Sequence, residues 1–122
     1  MKELEDIETI ERSLAKFVEK IHNTYIADGL SAIVTKSVNQ YSHVIYALYI
    51  IGKKDYNYRL LELITPIENS DTLQLRSFQS NPMEIKVQKP EDIAPQLDKL
   101  WGDNRFKHII QHMKTEDEII NG

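Results

Sequence analysis

Apolar side chains recur at alternating spacings of three and four near the start of the chain: Ile7, Ile10, Leu14, Phe17 and Ile21, with Leu4 and Val18 widening the stripe. That period turns one side of an α-helix toward a partner surface, so the pattern predicts a long amphipathic helix from Lys2 to about His22. Two heptads are fewer than a coiled coil needs. The expected cover for the stripe is the protein's own sheet, with pairing to a second chain as the alternative.

Asp28-Gly29 breaks the pattern as a turn or helix-terminating signal. Beyond it, Leu30, Ile33, Val34 and Val38 fit a short second helix, Leu30 to Val38, although their β-branched character would equally suit a strand.

After Tyr41 the pattern changes. HVIYALYII, YNYRLLELI, TLQLRSF and MEIKVQ are β-branched and aromatic runs separated by short polar turns, which predicts four neighbouring antiparallel strands in a meander. In the first run Val44, Tyr46, Leu48 and Ile50 alternate with Ile45, Ala47, Tyr49 and Ile51, so both faces are apolar and cover on both sides is expected. In the third and fourth runs apolar residues alternate with Gln74, Arg76, Glu84 and Lys86, which predicts one wet face.

PEDIAPQLDKLW reads as a helix entered through Asp92 and ended by Gly102, with Pro95 tolerated in the first turn. Asp103 is placed to cap a further helix, Asn104 to Lys114, and Thr115 with Glu118 has the form of a capping box that starts a separate last turn. Without repeats or linkers, residues 1–122 read as a single α+β domain: an antiparallel meander of about four strands packed by a long N-terminal helix and C-terminal helices.

Charge narrows the function classes. Fifteen Lys and Arg stand against nineteen Asp and Glu, a net charge of −4 without a concentrated basic segment, which argues against nucleic acid as a partner. The absence of cysteine excludes disulfides, thiolate metal ligands and cysteine nucleophiles, and fits a reducing compartment. The acidic start MKELEDIETIE is unlike a secretory leader, and VIYALYII is far shorter than the roughly 20 residues of a membrane helix, so a cytoplasmic protein is expected. There is no glycine-rich phosphate loop and no nucleophile elbow.

The candidate chemistry is sparse. His108 and His112 lie four apart on one side of their helix, about 6 Å along its axis, within reach of one metal ion. Ile109 occupies the position where a catalytic zinc helix carries its carboxylate, so no metal and no cofactor are assigned and the two histidines remain weak candidates. His22 and His43 have no ligand spacing. Glu62, inside LLELI, is either a buried carboxylate available for acid–base work or a residue turned to water or paired with Arg59 or Arg76. Tyr46, Tyr49, Tyr56 and Tyr58, with Tyr41, crowd around the first hairpin, and tyrosine suits binding surfaces because it joins a large apolar body to a polar tip. Trp101 reads as a core anchor.

These features lead to a non-catalytic intracellular interaction protein, expected to be a homo-oligomer and to bind another protein, with Tyr46, Tyr49, Tyr56, Tyr58 and Glu62 as binding residues. The alternative is a small-molecule binding protein or enzyme with a cavity around Glu62 and the tyrosine-rich hairpin.

Overall fold

The computed structural model describes residues 2–41, 43–52, 56–65, 72–79 and 81–121, with side chains between 6 and 114. The protein is α+β: helix α1 (Lys2–Tyr25), strands β1 (Ser31–Val38), β2 (Val44–Ile51), β3 (Asn57–Thr65), β4 (Leu73–Ser77) and β5 (Met83–Val87), then helices α2 (Ile93–Trp101) and α3 (Asn104–Asn121). The strands form one antiparallel sheet in chain order.

The sheet has five strands, close to the expected number of about four, and the additional one is β1, because Leu30 to Val38 is not a helix. The chain leaves α1 through a short 3-10 turn and Gly29, whose φ of 81° lies in the left-handed region that only glycine enters cheaply. Leu30 N–H then donates to Tyr25 O, and the backbone runs straight into β1. There Ala32 and Val34 pair with Ile50 and Leu48 of β2 and turn inward, while Ile33 and Thr35 turn outward. The ladder with β2 decides a segment whose side-chain spacing suited two conformations.

The core lies on one face of the sheet. Ile10, Leu14, Phe17 and Ile21 of α1 are buried against Ala32, Tyr46, Leu48 and Ile50, as the stripe required, while Ile7 at its start stays 39% exposed. Ile93, Leu97 and Leu100 of α2 and Phe106, Ile110 and Met113 of α3 complete that layer. Trp101 is half-buried where the helices meet, 5.8 Å from Phe17 in an edge-on arrangement and 5.3 Å from Phe106. Lys20 Nζ lies 4.4 Å above its ring.

Strand β3 contains one extra residue. Leu61 faces Leu48 and Arg59 faces Tyr49, so Leu60 is a bulge between them. Both leucines are buried in consequence, and the alternation reverses beyond the bulge. Across from it Phe78, buried at a φ of 74°, donates its N–H to Leu60 O and lies under the Arg105 guanidinium, 4.0 Å from its ring.

Asp103 caps α3 as expected, its Oδ1 accepting the Arg105 N–H at 2.7 Å. The helix does not stop at Lys114. It continues through Thr115 to Asn121, because threonine and glutamate are tolerated inside a helix and no glycine or proline interrupts the segment. Among the described residues no helix is long and apolar enough to cross a membrane.

Candidate functional site

Tyr41 is 70% exposed between β1 and β2, and the four tyrosines of the β2–β3 hairpin divide between three places. Tyr46 points at α1, Tyr56 and Tyr58 point at α3, and Tyr49 lies on the opposite face of the sheet.

Tyr46 belongs to a cluster that spans three elements. Its hydroxyl donates to Glu11 Oε2 at 2.8 Å, and Lys36 Nζ donates to the same oxygen at 3.0 Å. Lys36 and Tyr46 are cross-strand partners, so the β1–β2 register delivers both groups to one carboxylate of α1. The Lys36 hydrogen bond, and then that of Tyr46, hold the Glu11 carboxyl below its usual range. Burial, and then the bond to Glu11, push the Tyr46 phenol well above its ordinary value. An acid–base pair working near neutral pH needs the opposite shifts, so this is a clamp between helix and sheet. A cavity of about 260 Å³ lies beside it, lined by Leu14, Ala15 and Val34 as well as the three polar residues. Glu11 was invisible in the sequence as a site residue: it is one of many charges on the polar side of α1, and only the register brings Lys36 and Tyr46 to it.

A second cavity, of about 320 Å³, lies between the hairpin and α3. Tyr56, Tyr58, His108, Ile109, His112 and Met113 line it. The bulge at Leu60 makes this possible, because normal alternation from Leu61 would turn Tyr58 to the other face. The structure thus joins two sets of residues that the sequence offered separately. The Tyr58 hydroxyl accepts the Gln79 N–H at 3.1 Å, and Gly52 N–H donates to Tyr56 O at 2.7 Å, fixing both tyrosines from behind.

Glu62 is not in either cavity. It lies on the opposite face, half-buried, with Arg59 Nε 3.8 Å from its carboxylate and Arg76 as its cross-strand partner. Tyr46 and Glu62 therefore cannot act in one site between sheet and helices. A third cavity, of about 400 Å³, runs between α1 and α2 and carries Arg12, Lys16 and Lys20 on one wall and Glu91 and Asp98 on the other.

The opposite face of the sheet is the largest departure from expectation. Among the described residues no helix covers it, although β2 is apolar there. Ile45, Tyr49 and Ile51 are half-buried, Ala47 is buried between its neighbours, Ile64 is half-buried, and Ile33 is 46% exposed. None of these belongs to the core cluster or packs against it. Beyond this apolar half, β3 to β5 present two ion pairs, Arg59 with Glu62, and Arg76 with Glu84, whose Oε1 accepts Arg76 Nε at 2.7 Å, together with the exposed Lys86.

Among the described residues no three histidine, cysteine, aspartate or glutamate side chains converge as a metal centre. In comparisons with protein-family models, curated proteins and solved structures, nothing matches the chain.

Proposed function

We propose that this is a non-catalytic interaction protein of the cytoplasm that works as a homodimer and joins its second copy through the uncovered sheet face. The supporting observation is the apolar half of that face, Ile33, Ile45, Ala47, Tyr49, Ile51 and Ile64, which lies outside the core. A soluble chain rarely leaves a contiguous apolar surface of this kind without a partner. The neighbouring charges favour a second copy over a strongly charged partner. Arg59–Glu62 and Arg76–Glu84 are already paired within one chain, so these four charges do not oppose the meeting of two such faces, and a two-fold axis sets apolar rows against apolar rows. Tyr49, with a large ring and few rotamers to freeze, is the anchor of this surface. The dimer leaves the helix side free for a further protein.

Sedimentation of the untagged chain tests the reading. The expected result is a dimer at micromolar concentration that becomes a monomer in Ile45→Asp and in the milder Ile33→Asp, whose position is exposed in the single chain, with far-ultraviolet circular dichroism unchanged. A wild-type monomer at that concentration, or a dimer unaffected by Ile33→Asp and by a folded Ile45→Asp, would refute it.

A further inference from the structure

We propose that the cavity between α3 and the β2–β3 hairpin is a binding site for a divalent transition-metal ion of the imidazole-preferring class, zinc, nickel or copper, held by His108 and His112. The two histidines are four residues apart on a regular helix, a rise of about 6 Å between their backbone positions, from which two imidazoles can reach one ion. Spacing alone does not make a site, because surface rings can fan outward. Here both residues line one cavity, with Tyr56 and Tyr58 in its wall as well, so the two imidazoles share one space.

The donor set selects the class of ion. Imidazole nitrogens suit copper, nickel and zinc, whereas calcium and magnesium require carboxylate or carbonyl oxygens. Among the described lining residues there is neither a carboxylate for the hard cations nor a lysine or arginine to repel a metal. Two imidazoles leave further coordination positions to water. Tyr56 and Tyr58 belong to the same lining, and their phenols can hydrogen-bond the metal's waters, the outer-layer support that orients a bound ion. An imidazole has two ring nitrogens, so a ring held by a protein partner through one still binds metal through the other.

The scaffold is rigid on both sides. Ile110 and Met113 anchor α3 in the core at 4% and 1% exposure, and Tyr58 is tied to the Gln79 backbone. Ile109 and Met113 give the cavity an apolar floor that keeps bulk water from one side of the ion. With only two protein ligands the site holds an exchangeable ion and is open to a further ligand from solvent or from a partner.

The test is calorimetric titration of the untagged, chelator-stripped 122-residue chain with zinc, nickel, copper(II) and magnesium chlorides, followed by histidine ring proton resonances. One ion per chain is expected, tightest for copper in keeping with the general order of divalent affinities, and none for magnesium. His108→Ala and His112→Ala, at exposed positions that leave the fold intact, should each weaken binding by more than about tenfold, and Tyr56→Phe by less. The His108 and His112 resonances should shift while those of His22 and His43 stay in place. Absence of binding to the wild type, binding that survives the double alanine variant, or shifts confined to His22 and His43 would overturn the proposal.

Discussion

The Tyr46 hydroxyl donates to Glu11 across 35 positions of sequence, joining the middle of β2 to the middle of α1 with Lys36 on the same carboxylate oxygen. Because Tyr46 is 3% exposed, its hydroxyl depends on that acceptor.

Removing either partner should therefore be costly in different degrees. Tyr46→Phe should lower unfolding free energy by about 1 kcal/mol, and Glu11→Ala by about 1–2 kcal/mol, because the latter leaves a buried hydroxyl without an acceptor. The double variant should fall short of the sum by about 1 kcal/mol. Urea denaturation of the four proteins measures the coupling, and strict additivity would mean that the contact contributes nothing to stability.

Glu11 also makes stability depend on pH in one direction. Its carboxyl titrates lower in the folded chain than its ordinary value of 4.5, so the folded state binds this proton less readily than the unfolded state. The resulting stabilisation is fully present above pH 4.5 and is lost as pH falls through the lower folded value. Wild type should exceed Glu11→Gln in urea midpoint near neutrality, with the gap closing below pH 4.5. A gap that stays constant into acid would show that the carboxylate charge is not what matters.

Gly29 predicts a backbone effect rather than a contact effect. Its φ of 81° and ψ of 15° place it where a Cβ costs roughly 1–2 kcal/mol. Gly29→Ala should lower stability by about 1 kcal/mol while the circular dichroism spectrum keeps its shape. An unchanged denaturation midpoint would mean that the α1–β1 junction relaxes without loss.

The sequence revealed this architecture wherever one period dominated a segment. The α1 stripe, from Ile10 to Ile21, admitted only a helix, and the alternation in β4 and β5 admitted only strands with one covered side. Leu30 to Val38 failed that criterion because its β-branched residues satisfied both periods, and pairing with β2 decided between them. The candidate residues were less legible for a related reason. Which way a tyrosine points depends on ladder register and on the single extra residue at Leu60, neither of which leaves a compositional trace. Thus Tyr58 and Glu62, near neighbours in sequence, lie on opposite sides of the sheet, while Tyr58 and His112 share a cavity.

Strand order that follows chain order has a consequence for synthesis. Each of β2 to β5 leaves the ribosome directly after a strand it pairs with, so every ladder closes between sequence neighbours and the apolar run Val44 to Ile51 always finds β1 already waiting at one edge. The N-terminal helix has the reverse experience. Its apolar stripe is complete at Tyr25, but the β2 residues it covers finish emerging only at Ile51, a delay of about one to five seconds at ordinary elongation rates. During that interval α1 is an amphipathic segment in search of cover, and the nascent chain is most open to capture by other surfaces before its sheet exists.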